Sequence, residues 1–139
     1  MNSKQLGLLG ELKAQYDFTK AGWNISTPLG DYCSYDFIAT KDDKLIKIQV
    51  KTTEKIHENG AMIFSVTSRN YYEYKIYTNQ DCDYFYLFCL ENEKGFLYPI
   101  NRPHSSHITI REEIPKNNMT KGINFAKDFL FENIINTLA

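Results

Sequence analysis

Two runs rich in β-forming residues, SYDFIAT and LIKIQVKTT, flank the polar tetrad Lys41–Asp42–Asp43–Lys44. A hairpin closed at that tetrad dictates the face of every residue around it. With Lys41 opposite Lys44, Ala39 meets Ile46, Phe37 meets Ile48 and Tyr35 meets Val50, which makes one continuous apolar face. The other face then carries Ile38 against Lys47, Asp36 against Gln49 and Ser34 against Lys51. A slip of one residue would invert this sorting, so the pattern fixes the register. The turn is the weak point, because a two-residue type I′ loop asks for positive φ at both Asp42 and Asp43.

Other segments supply the elements that must pack on this hairpin. In KQLGLLGELKAQYDFTKAGW, Leu8, Leu9, Leu12, Tyr16 and Ala21 recur at helical spacing, with Ser3 as N-cap and Lys20 then Gly22 as the ending. Gly7 and Gly10 each weaken such a helix by up to about 1 kcal/mol, so tertiary packing must hold it. Glu11 shares a face with Gln15 beside Leu8 and Leu12, a carboxylate at the rim of the expected buried stripe. AMIFSVTS reads as a strand with Met62, Phe64 and Val66 on one side, and the nearly unbroken apolar run DCDYFYLFCL reads as a central strand. GFLYPI reads as a further strand whose Pro99 belongs near an edge or a strand end. RNYYEYKIYTNQ has no clean period, and residues 101–122 are turn-rich, with only Ile108 and Ile110 suggesting another short strand. NFAKDFLFENIINTLA predicts a closing helix capped by Asn124, with Phe125, Phe129, Leu130, Ile134 and Leu138 along one face. The expected architecture is α/β: one domain over 1–139, a mixed sheet of four to five strands, and helices at both ends.

Composition narrows the function classes. In 139 residues, 42% hydrophobic and 24% charged content excludes disordered and fibrous chains. Cys33, Cys82 and Cys89 have no CxxC spacing and form neither a disulfide framework nor a zinc knuckle. No apolar stretch reaches the roughly 20 residues of a bilayer span, and the amino end makes a poor secretion signal, so the expectation is an intracellular, cytoplasmic protein. The net charge of −1 argues against a generally basic nucleic-acid coat. It leaves a nuclease open, since affinity depends on where the cations lie.

Asp36, Gln49 and Lys51 share one face of the hairpin, and three polar groups packed between a sheet and the Glu11 helix would be costly to desolvate unless satisfied. A divalent cation would satisfy them. Asp36 offers a hard oxygen, the Gln49 amide a weaker neutral one, and the Val50 backbone carbonyl lies between, while Glu11 could join directly or through water. With the Lys51 ammonium entering the same volume, the set suits phosphodiester cleavage, the lysine orienting water or stabilising developing charge. The bland alternative is a sheet-surface ion pair of Asp36 with Lys51. His57, His104 and His107 read as loop histidines, and the tyrosines between 71 and 77 as core or subunit packing. Lys55, Arg69, Asn70 and Lys75, near the ends of expected strands, are candidate DNA contacts.

Taken together, the helical Gly10–Glu11, Gly22–Trp23, Leu29–Gly30–Asp31, Tyr35–Asp36–Phe37, Ile48-Gln-Val-Lys-Thr52 and the strand ending Tyr98–Pro99 resemble the PD-(D/E)XK nuclease superfamily over about residues 5–100. Within it the pattern is most similar to the small group I intron-encoded homing endonucleases of cyanobacterial type. The resemblance implies a restriction-endonuclease-like core and matches Glu11, Asp36 and Lys51 to the family's helical carboxylate, metal-binding aspartate and lysine. Gln49 stands where the superfamily usually has an acid, a departure shared with the homing variant. Pro28 has no assigned role. The resemblance further implies Mg²⁺, with Mn²⁺ able to substitute, double-strand cleavage of DNA, and a homo-oligomer, tetramer ahead of dimer. Phe125, Phe129, Phe131 and the tyrosines at 71–77 are the expected material for subunit contacts. Alternatives are a Holliday-junction resolvase or restriction endonuclease of the same fold, or a non-catalytic DNA-binding or protein-interaction domain.

Overall fold

The computed structural model of the chain describes residues 1–69 and 74–138. Helix α1 (Ser3–Lys20) is followed by β1 (Asn24–Ser26), β2 (Phe37–Lys41), β3 (Lys44–Thr53), β4 (Ala61–Ser65), β5 (Thr67–Arg69) and β6 (Tyr74–Ile76). Then come β7 (Tyr84–Cys89), β8 (Lys94–Pro99), β9 (His107–Arg111) and β10 (Asn124–Phe125), with the short helices α2 (Ala126–Phe129) and α3 (Phe131–Ile134) and a final 3-10 turn. The main sheet is five-stranded, in the order β1-β2-β3-β7-β8, with β3 and β7 parallel and the other pairs antiparallel. A three-stranded sheet, β10-β9-β4, covers one of its faces, and β5 and β6 form a separate antiparallel ribbon. This is the expected α/β architecture with a mixed sheet between terminal helices. The β4 strand departs from expectation by joining the second sheet. No helix among the described residues is long and apolar enough to cross a membrane.

The β2–β3 hairpin has the register read from the sequence, with Phe37 opposite Ile48, Ala39 opposite Ile46 and Lys41 opposite Lys44. Positive φ is confined to Asp42 in its turn (+55°), so Asp43 escapes the strain that a type I′ loop would have required. Alternation along β7 divides its side chains between two cores. Tyr86 and Phe88 face α1 with Phe37, Ile48, Val50 and Leu97, whereas Phe85, Leu87 and Cys89 face the second sheet with Met62, Phe64 and Ile108.

Two helical expectations are corrected. The N-cap of α1 is Asn2, whose side chain accepts from Gln5 N–H at 2.9 Å while Gln5 returns the bond, so the helix starts one residue earlier than a Ser3 cap implies. Its buried side is Gly10, Ala14, Asp17 and Phe18, and Leu8, Leu12 and Tyr16 are exposed. The reason is distance. At Gly10 the helix comes so close to β3 that a Cβ would lie 1.9 Å from the Thr52 methyl, and only small residues fit that seam. The closing helix is broken at Leu130, whose ψ is 132°. The break sends Ala126 and Phe129 into one core and Phe131 and Ile135 into the other, which a single straight face cannot do. Phe129 and Phe131 are therefore buried within the subunit and unavailable for the expected subunit contacts.

Candidate active site

The ladder between β2 and β3 stops at Phe37, and the break creates the site. Asp36 N–H reaches the Ile48 carbonyl at 2.8 Å, out of step with the register, and its carboxylate accepts the Val50 N–H at 2.7 Å. Alternation is lost there as well, so Tyr35 packs on the second-sheet side and not against Val50 as the hairpin arithmetic predicts. The Asp36 carboxylate is thus held at the exposed edge of β3. In a strand the N–H and C=O of one residue point to the same neighbour, so the Val50 carbonyl emerges on this edge too.

The polar groups converge from two sides of the sheet, which corrects the expectation that all of them lie under the Glu11 helix. Val50 packs against α1, and alternation turns Gln49 and Lys51 to the opposite face. There Lys51 Nζ lies 3.5 Å from the Thr67 carbonyl and 5.0 Å from the Tyr77 ring centroid. Gln49 is half-buried, beside Phe85 in the β3–β7 register, and its side chain makes no hydrogen bond among the described residues. Glu11 arrives from the α1 side and comes close enough to Asp36 for the two carboxyls to influence each other.

Electrostatics mark the same spot. Burial, then the neighbouring Asp36 charge, hold the Glu11 carboxyl above its ordinary range. Burial raises Asp36 despite the opposing pull of the Val50 N–H and the Lys51 ammonium. Burial lowers Lys51, against the attraction of Asp36. Two partly desolvated carboxyls that resist ionising together, a strand-edge carbonyl and the Gln49 amide make a hard-oxygen donor set suited to a divalent cation. Among the described residues no group of three or more His, Cys, Asp or Glu gathers, so the acidic content here is the pair Glu11 and Asp36.

The raised carboxyls have a sign that can be checked. A carboxyl whose folded value lies above its unfolded one contributes stability below the unfolded value and loses it as pH rises through the folded one. Metal-free Glu11→Gln is accordingly expected to melt above the wild type at neutral pH, with the difference shrinking as pH falls through the carboxylate range. Thermal melts in chelator across that range check this.

The remaining candidates separate. Lys55 is exposed just past the end of β3. Arg69 ends β5 and Lys75 pairs with Ser68 on β6, whereas Asn70 lies outside the described residues, as do the tyrosines at 71 and 72. Tyr77 is buried. His104 packs against Phe85 and Tyr98, and its Nδ1 faces the Arg102 carbonyl at 2.8 Å. Residues that sequence reasoning missed are Asp17 and Tyr86, hydrogen-bonded to each other beneath α1. A charged residue on the inner arc with Gly10 and Ala14 is the signal that could have found Asp17.

A family model described as PD-(D/E)XK endonuclease matches residues 1–132. Protein 5.3 of Escherichia phage T7 is 37% identical over 60 residues, 42% of this chain and 51% of the phage protein, so the chain spans about half the length of the curated relative it matches. Among solved structures, the bacterial homing endonuclease I-Ssp6803I aligns with a TM-score of 0.81 at 23% identity, over 99% of this chain and 94% of that one, which is a likeness of fold. The Holliday junction resolvase Hjc of Archaeoglobus fulgidus aligns with a TM-score of 0.49 at 15% identity, over 76% of this chain and 84% of that one. The matched span contains Glu11, Asp36, Gln49 and Lys51, and the chain belongs to the PD-(D/E)XK endonuclease family.

Proposed function

We propose that the chain is a divalent-metal-dependent endodeoxyribonuclease that makes sequence-specific double-strand breaks, in the manner of a homing endonuclease. The observation that carries the reading is the convergence of Glu11, Asp36 and Lys51 on the β3 edge where pairing with β2 fails. Asp36, the Val50 carbonyl and Gln49 would hold Mg²⁺ or Mn²⁺, with Glu11 joining directly or through water. Such a cation supplies charge neutralisation at the scissile phosphate and lowers the pKa of water. The Val50 N–H fixes the Asp36 carboxylate, so its free oxygen needs no reorganisation to bind. Lys51 keeps its proton at Nζ and donates hydrogen bonds to a phosphoryl oxygen or to the attacking water. The homing role draws on Gln49 in place of the usual acid, and a fold shared with a bacterial homing endonuclease is compatible with it.

The β5–β6 ribbon fits DNA recognition, because a two-stranded ribbon can enter the major groove and this one starts at Thr67, beside Lys51. Arg69 and Lys75 on the ribbon, together with Asn70 and with Lys55 just past the end of β3, are the proposed contacts. Cleavage of a duplex library with Mg²⁺, compared with a four-way junction, tests the function. Duplex ends at a defined sequence are expected, and exclusive cutting of the junction would favour a resolvase.

Replacing Gln49 by glutamate supplies a third acid at nearly constant volume. Gln49→Glu is expected to fold normally and to bind Mg²⁺ tighter by about tenfold, because affinity in such sites follows ligand charge count. Calorimetric titration measures this, and weaker binding by a folded variant would remove Gln49 from the ligand set.

One centre cuts one strand at a time, so a two-fold dimer is the minimum assembly and we place a tetramer ahead of it. With Phe129 and Phe131 committed to the cores, the exposed Leu8 and Leu12 of α1 offer apolar contact surface. Sedimentation equilibrium is expected to give an oligomer, and a chain monomeric at micromolar concentration, free and DNA-bound, would contradict it.

A further inference from the structure

We infer that Asp17 and Tyr86 form a latch that sets the rotation of α1 and so positions Glu11 against Asp36, an inference that rests on the reading of Glu11 as part of the metal site. Gly10, Ala14 and Asp17 lie at i, i+4 and i+7 on the arc of α1 turned to the sheet. Glu11, one residue on, leaves the helix sideways toward the open β3 edge. Its reach therefore depends on rotation, and a turn of α1 by a fraction of one residue would carry it away from Asp36.

The large apolar anchor of α1 is Phe18, near its C-terminal end, where its ring meets Trp23, Phe37 and Phe131 edge to face. Toward Glu11 the seam is made of small residues, and Leu8, Leu12 and Tyr16 are exposed. Besides the Lys41 Nζ bond to the Ala21 carbonyl at the C-cap, 3.1 Å, the directional contact along the helix is at Asp17, only 7% exposed, which accepts from the Tyr86 hydroxyl of β7 and, through its other oxygen, from Lys13 Nζ at 2.9 Å. Both carboxylate oxygens are used, as a buried charge requires. The sheet makes room for the phenol. On β8, Gly95 leaves the space that a Cβ would fill at 2.0 Å from the Tyr86 oxygen. Gly10 sets the height of α1 over β3, and the Asp17–Tyr86 bond sets its angle. Neither Asp17 nor Tyr86 is a catalytic residue; both are positioning residues acting through Glu11.

The test compares Tyr86→Phe with Phe129→Leu, a destabilising control in the opposite core. Both are expected to lower the melting temperature, but only Tyr86→Phe should weaken Ca²⁺ binding measured by calorimetry, by about tenfold, the lower end of the effect of residues that orient metal ligands. Should Tyr86→Phe fail to fold, Asp17→Asn, which keeps an acceptor for the phenol and loses the charge, is expected to shift Ca²⁺ affinity in the same direction by less. Wild-type affinity in a folded latch variant would overturn the latch and leave the metal site standing. Equal losses in the latch variant and the control would reduce the pair to general stability and overturn it too. A wild-type chain that binds no Ca²⁺ would remove both the latch and the site.

Discussion

Replacing Lys51 with alanine is expected to slow single-turnover DNA cleavage by about a hundred- to thousandfold, the usual cost of deleting one donor aimed at developing charge. Lys51 Nζ lies near the Thr67 carbonyl and the Tyr77 ring, and the Asp36 charge opposes the lowering that burial imposes on its ammonium. An interaction that strengthens only as charge builds on the phosphate lowers the chemical rate and not the affinity. Binding of DNA by Lys51→Ala should therefore stay within about threefold of wild type, since one phosphate contact among many carries little of the total. Single-turnover cleavage with saturating enzyme, beside a binding titration in Ca²⁺, separates the two quantities. A rate within about threefold of wild type would remove Lys51 from the site.

Asp36 is expected to have two separable roles, one chemical and one structural. Asp36→Asn keeps an acceptor for the Val50 N–H but loses the charge, so cleavage should fall below detection while the denaturation midpoint at neutral pH stays at or above that of the wild type. Asp36→Ala should lose cleavage as well and also cost about 1–3 kcal/mol, because the Val50 N–H is left without its partner at a buried residue. Denaturant melts of the two variants measure the difference. An active asparagine variant would mean that the Asp36 charge takes no part in the chemistry.

The hairpin was legible in the sequence because two constraints agree there: a two-residue turn and an alternation that gathers Phe37, Ala39, Ile46 and Ile48 on one face. The candidate residues Gln49 and Lys51 were singled out by that arithmetic, which puts them on one face of β3. The break at Asp36 was not, since a carboxylate that takes over a backbone partner leaves no trace in periodicity. The face of α1 was misread for a related reason. Counting large apolar side chains favours Leu8, Leu12 and Tyr16, yet a helix docked closely enough to bring Glu11 to the β3 edge must use Gly10 and Ala14. The closing segment was read as one helix because Phe125, Phe129, Leu130 and Ile134 fit a helical face, and nothing local signals that its apolar residues serve two cores. Composition already held that hint, in a central strand too apolar to have only one buried side.

The central claim is that Asp36 and the Val50 carbonyl, with Glu11 and Gln49, hold a divalent cation beside Lys51. A crystal structure with duplex DNA and Ca²⁺ addresses it most directly. The expected result is a cation about 2.3–2.6 Å from an Asp36 carboxylate oxygen and from the Val50 carbonyl, with a phosphate oxygen in its coordination sphere and Lys51 Nζ within hydrogen-bonding distance of the same phosphate. DNA bound on another surface, or a cation coordinated without Asp36, would contradict the account.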